Sequence, residues 1–526
     1  MRRWLRSLKY ISLFCLLAGA IPGAPSSAQA HGDDHELAPT PTRVLGKIDF
    51  PTSTDSKAAQ DAFIRGMLLL HLFEYDFAKT HFEQAQRADP SFVMAYWGEA
   101  MVYNHPLWDQ QNREAAREVL ARLGDSAETR AARAKNEKER DFLASLEVLY
   151  GEGAKAQRDT AYLRAMAQMA ARYPQDHEVQ LFYALALMGE GAGVRDIPAY
   201  MESAAISQAV FYANREHPGA AHYLIHAVDD PIHAPLGLEA ARALAIMAPD
   251  AGHSLHMTSH IFTALGMWSD VVSANTDASR VANAMASERG RQARSWGHYN
   301  FWLLYGLLQE GKATEARRLL EAAYGELPEA SRADMDVLEL DADRSQLGST
   351  VQMWARYLIE IGGRDPKVAA WEFDLGEAYD PQLLYHYVKA LTAQELPDVG
   401  QHLATFLDLQ ASLEAALTAQ NRRTPWNLLY LDRLEVMVLQ MRAMLARLDG
   451  DKETMLAHAR AASEREGEMP YSYGPPFVDY PAAQFLGDLL LAEQQHAAAA
   501  LAYREQLVRS RNRAQAVRGL AVTEQR

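Results

Sequence analysis

"GMLLLHLFEYDFAKTHFEQAQRADPSFVMAYWGEAM" (66–101) decides the fold. Its apolar residues recur at helical spacing, a tight turn falls near Glu74, and a second amphipathic run ends at Asp89-Pro90. Proline cannot continue a helix interior, so a new helix starts beyond it. Small Ala78 and Ala85 leave room for two paired helices to approach, and Phe82 and Leu72 fill the seam between them. The stretch predicts a helix–turn–helix unit closed by a proline, with a period of about 34 residues.

The same grammar, that of the tetratricopeptide repeat (TPR), returns along the chain. It recurs in "HIFTALGMWSDVVSANTDASRVA" (260–282), with Leu265-Gly266 at the turn, and in "FWLLYGLLQEGKATEARRLLEAAYGELPE" (301–329), with Glu310-Gly311. A weaker copy spans 441–468, and the last is "PAAQFLGDLLLAEQQHAAAALAYREQL" (481–507). Sustained apolar–polar alternation bounded by turn residues is absent, which argues against strands. The fold class is therefore all-α: a TPR-like helical-repeat superhelix, an α-solenoid with irregular repeats. No helix pair buries its apolar face alone, so neighbours stack and leave a concave groove.

The expected organisation is a signal peptide at 1–30, a flexible lead-in at 31–48 and N-terminal TPR-like repeats at 49–120. Irregular helical hairpins follow at 121–215, His-rich repeats at 216–329, an irregular helical segment at 330–430 and C-terminal repeats at 431–526. The loop "YSYGPPFVDYPAA" (471–483) reads as a rigid connector over the core.

Arg2, Arg3, Arg6 and Lys9 precede an apolar run from Tyr10 to about Ala20, and Ala28-Gln29-Ala30 supplies a cleavage site. This predicts export across the inner membrane, with a periplasmic destination. Pro22 and Pro25 interrupt the apolar run too early for a membrane anchor. Cleavage removes the only cysteine, Cys15, and takes the formal net charge from −16 to −20. Any metal must then use N and O ligands. An acidic chain repels phosphate backbones, so nucleic acid is not an expected partner, and no later segment is apolar enough to span a bilayer. The mature terminus at His31 offers copper an amine and an imidazole but lacks a supporting framework.

Seven of the eighteen histidines fall in "HPGAAHYLIHAVDDPIH" (217–233) and "GHSLHMTSHIF" (252–262). Pro218 predicts a helix over about 218–229, on which His222 and His226 share one face. His253, His256 and His260, spaced by three and four, share a face of a helix over about 252–265. In a stacked array these two helices are neighbours, so the two imidazole rows are expected to face each other across one groove. Imidazole suits Zn, Cu, Fe or Ni, and these five histidines are the candidate ligands of one divalent ion. Asp229, Asp230 or Glu216 is available as a carboxylate ligand, an acceptor behind an imidazole, or a base. Tyr223 and Ser259 flank the rows. The competing reading is that these histidines pack neutrally between helices, with His217 and His233 at helix ends. H-E-x-x-H is absent, which lowers the peptidase reading.

"AYWGEAMVYNHPLWD" (95–109) adds Glu99 and His105 as second-tier candidates, against the alternative that Glu99 is paired and His105 ends a helix. Together, "MAYWGEAMVYNHPLW", "HPGAAHYLIHAVDDP", "APDAGHSLHMTSHIF" and "LGMWSDV" resemble a family of exported bacterial TPR proteins of unclear biochemical role. The resemblance implies a superhelix with an inward-facing histidine cluster and supplies no reaction. Gly-rich phosphate loops, a G-x-S-x-G elbow and an EF-hand loop are absent. Two functions stay open: a protein- or peptide-binding module with a histidine-lined metal site in its groove, or a metal-dependent enzyme, hydrolase or oxidoreductase, built on the same scaffold.

Overall fold

The computed structural model describes residues 43–191, 194–327 and 336–525. The signal peptide at 1–30, the terminus at His31 and the lead-in as far as residue 42 lie outside the described residues. Among the described residues there are 24 α-helices, and the only strands are the two-residue pair Asn104–His105 and Gln110–Gln111. The fold is an all-α stack of helical pairs.

The first pair shows how the sequence builds it. The Ser56 side chain accepts from the Ala59 N–H at 3.2 Å and starts the helix Lys57–His71. Phe73, at φ 55°, reverses the chain before Tyr75–Ala88, and Val93–Met101 follows Pro90. Phe82 is fully buried, its ring against Gly66 and Gly98. A Cβ on Gly66 would stand 2.7 Å from that ring, and one on Gly98 closer still. Gly98→Ala is therefore expected to cost about 1–3 kcal/mol through overpacking. Denaturant unfolding checks this; an unchanged midpoint would mean the ring has room to move. The turn glycines Gly266 and Gly311 sit at φ +68° and +77°, the left-handed region in which helices commonly end.

Buried apolar residues form two main cores, one from Leu45 to Val271 and the other from Phe301 to Ala516. The end of the lead-in, residues 43–48, is docked rather than loose: Leu45 is buried and the Lys47 N–H donates to the Glu216 carbonyl at 2.8 Å. The connector 471–483 is pinned by two buried arginines. Arg356 donates to the Asp479 carbonyl at 2.8 Å, and Arg433 pairs with the Asp479 carboxylate at 2.5 Å. The turn before the last helix, Ala514–Glu524, reaches back to the middle of the chain. Trp268 Nε1–H donates to the Asn512 carbonyl at 2.8 Å, Arg513 donates to the Tyr305 hydroxyl at 3.0 Å, and the Ala514 N–H donates to Gln309 Oε1 at 2.9 Å.

Candidate metal centre

Three helices carry the central histidines: Pro218–Ala227, Gly252–Leu265 and His298–Gln309. Pro218 occupies the first turn of its helix, and His217 caps it, accepting from the Ala220 N–H at 3.4 Å. The N-terminus of Gly252–Leu265 is met by a carboxylate: the His253 N–H donates to Glu74 Oε1 at 3.1 Å. Burial pushes the Glu74 carboxyl above its ordinary value, against the pull of that N–H.

The two rows do face each other. The His222 and His253 rings lie 5.0 Å apart and those of His226 and His260 5.8 Å. The five candidates nevertheless divide into two groups. Ligand atoms of His222, His226 and His253 lie within 4.8 Å of one another, and those of His256, His260 and His298 do the same.

In the first group all three Nε2 atoms are buried and without a hydrogen-bond partner. His222 Nδ1–H donates to the His71 carbonyl at 2.6 Å, which fixes the tautomer and leaves the Nε2 lone pair aimed at the site. The Phe73 ring covers the group, 4.4 Å from His222, 5.7 Å from His226 and 5.6 Å from His253. Burial first, then the charge of neighbouring imidazoles, lowers these groups: His222 to about 3, and His226 and His253 well below their ordinary value. At neutral pH the group therefore offers three uncharged nitrogen donors. Such a set could hold a transition metal with a coordination position left open.

In the second group each imidazole is held from behind. His256 Nδ1–H donates to Asn275 Oδ1 at 2.7 Å, His298 Nδ1 pairs with Asp343 at 2.5 Å, and His260 Nδ1 pairs with Asp229. Asp229 thus stands behind an imidazole. His260 also lies under the Tyr473 ring of the connector, at 5.6 Å.

A third histidine group is closed. Glu178 accepts from His71 Nε2–H at 2.7 Å and from His217 Nε2–H at 3.2 Å, and the Tyr223 hydroxyl donates to His71 Nδ1 at 2.9 Å. Burial opposes the charge on Glu178, but the two imidazoles outweigh it and hold the carboxyl far below the usual range. This is an internal hydrogen-bond network tying together helices Lys57–His71, His177–Gly189 and Pro218–Ala227.

The remaining candidates take other partners. Glu99 is buried against Arg122 and Gln86, 2.6 Å from the latter, and joins none of the histidine groups. The His105 ring stacks 3.9 Å from Tyr75 and its Nε2 bonds the Val102 carbonyl at 3.0 Å. Asp230 pairs with Arg195 and His233, Glu216 with Lys47, and the Ser259 hydroxyl with its own helix.

A cavity of about 640 Å³ opens beside these groups. His253 and His298 both reach it, among the rings of Trp108, Trp302 and Tyr473. Sequence reasoning missed His298, Asn275, Asp343, His71 and Glu178. His298, Asn275 and Glu178 have no second ligand-type residue three or four positions away. Glu74 follows His71 by three and Glu339 precedes Asp343 by four, but a turn and an irregular segment keep these pairs from reading as a row on one helix face.

No family model matches the chain, and no curated protein sequence matches it. Among solved structures it is similar to the APC/C hetero-tetramer Cut9-Hcn1, at 12% identity over 90% of this chain and 78% of that one, with a TM-score of 0.34. It is also similar to yeast Tom70, at 10% identity over 86% of this chain and 93% of that one, TM-score 0.34. A human IFIT1 dimer with PPP-AAAA matches at 12% identity over 90% of this chain and 95% of that one, TM-score 0.33.

Proposed function

We propose that the chain is an exported, periplasmic helical-repeat metalloprotein. His222, His226 and His253 bind one divalent transition ion (Zn, Cu, Fe or Ni) at the wall of a cavity that receives a protein or peptide segment. The observation that carries the metal reading is that His222, His226 and His253 each bring a ring nitrogen within 4.8 Å of the others, while the Nε2 atoms of all three are buried without a hydrogen-bond partner. A buried polar atom left unpaired costs about 1–3 kcal/mol, and three at one point call for a common partner. The aromatic cavity wall supports the peptide reading. The access of His253 to the same space favours a second reading, a metal-dependent enzyme in which a substrate takes the open position.

The test is the metal content of protein purified from the periplasm. A His226→Ala/His253→Ala double variant is expected to lose about one equivalent of transition metal relative to the parent. Equal content in the two proteins, or none in either, would remove the metal reading of His222, His226 and His253 and leave these three histidines as packing.

A further inference from the structure

The nitrogen atoms of the second histidine group are placed in a way that neutral imidazoles alone do not tolerate. Asn275 Nδ2–H donates to the Val271 carbonyl at 2.9 Å, which turns the amide so that its oxygen faces His256 Nδ1 at 2.7 Å. An amide oxygen only accepts, so the His256 hydrogen is on Nδ1. Asp229 fixes the hydrogen of His260 on Nδ1 in the same way, and Asp343 that of His298. A neutral imidazole carries one N–H, so the Nε2 atoms of His256 and His260 are both lone pairs, and they lie 2.9 Å apart.

Two lone pairs face each other at that distance only across a cation. A shared proton is one candidate and serves two nitrogens. A metal ion serves three, and a third is present: His298 offers a nitrogen within 4.8 Å of the others. Two nitrogens bound at about 2.0–2.1 Å stand roughly 2.9 Å apart at the right angles of a square or octahedral centre and roughly 3.3 Å apart at a tetrahedral zinc. The pair matches the former and needs to open by only about 0.4 Å for the latter. The side chains behind the group add two carboxylates, Asp229 and Asp343, a pairing that orients metal-bound imidazoles and raises their basicity.

We propose that His256, His260 and His298 hold a second divalent transition-metal ion, so that the chain carries two histidine-bound ions side by side. The rings of the two groups are neighbours, with His226 5.8 Å from His260 and His253 6.1 Å from His256. Both groups reach the same cavity, through His253 and His298. The second site adds to the metal reading above and stands on its own residues.

The test is zinc stoichiometry. The full chain is stripped with chelator, checked for retained helicity, loaded with Zn²⁺, desalted and analysed for zinc. All proteins carry His386→Ala and His402→Ala, because that outer pair, with Nδ1 atoms 2.8 Å apart, offers zinc an unrelated site. Two equivalents are expected in this parent, one in His298→Gln and one in His253→Ala. A parent that binds one equivalent, lost in His253→Ala and kept in His298→Gln, overturns the second site and leaves the first. A single equivalent lost only in His298→Gln establishes the second site and refutes the first. No zinc in the parent overturns both, and because the parent count stands without the variants, a variant that fails to fold leaves the proposal decidable.

Discussion

Glu178→Ala is expected to destabilise the protein by about 3–5 kcal/mol, because it removes the anion from a buried, hydrogen-bonded cluster and leaves two imidazoles facing nothing. Glu178 is 1% exposed and accepts from both His71 and His217. Glu178→Gln keeps the shape but turns an amide N–H toward an imidazole N–H, so its loss should be smaller, about 1–3 kcal/mol. The same variants reach the proposed metal site indirectly. The His71 carbonyl orients His222, and loosening His71 should weaken metal affinity by about 10–100-fold, the scale seen when a partner behind a metal ligand is lost. Chemical denaturation and metal titration on the three proteins check both effects. A Glu178→Ala protein as stable as its parent would show that the network is incidental.

Acid should act on the histidines before it acts on Glu178. An unfolded imidazole takes a proton near pH 6.5, whereas burial keeps folded His222 neutral down to about 3 and holds His226, His253 and His256 well below their ordinary value. Below pH 6.5 the unfolded chain therefore binds more protons, and stability falls as pH falls. Each such imidazole contributes at most about 1.4 kcal/mol per pH unit until its folded value is reached. Glu178 has the carboxylate sign: its contribution is complete above the ordinary carboxylate range and is lost only below it. Metal binding has the same sign as the histidine effect, since protons compete for the ligands. Free metal at about a thousand times Kd adds about 4 kcal/mol to the folded state. Thermal melts at pH 7.5 and 5.0, each with and without chelator, should show a large chelator effect at the higher pH that shrinks at the lower. Melts that ignore both variables would contradict the metal reading and the neutral state of the buried imidazoles together.

What was legible in the sequence follows the range of the interactions. The pair 57–88 is written in local terms, through Ser56, the turn at Glu74 and the stop at Pro90, and so are the left-handed turns at Gly266 and Gly311. The faces shared by His222 with His226, and by His253 with His256 and His260, follow from spacing along one helix. Which of these histidines act together does not. That depends on the angle at which Pro218–Ala227 crosses Gly252–Leu265, which places His253 with the first group, and on the next inner helix, which brings His298 to the second. His71 and Glu178 lie 107 residues apart, and no local pattern announces their meeting. The carboxylate behind His298 was hidden in the same way, since Asp343 belongs to an irregular segment that carries no repeat signature, whereas Asp229, behind His260, was legible as an acceptor for an imidazole.

The bonds from Asn512, Arg513 and Ala514 to Trp268, Tyr305 and Gln309 have a thermodynamic consequence. In an open stack of repeats each unit feels only its neighbours, so ends fray and stability approximates a sum along the chain. Here a segment more than 200 residues downstream is stapled to the middle of the array, Asn512 lying 244 positions after Trp268. Everything between them is a loop whose closure entropy is recovered only when both sides are folded. The last helix should therefore not fray first. Amide hydrogens of Ala514–Glu524 and of His298–Gln309 should exchange through the same opening event, as one unit of folding rather than two.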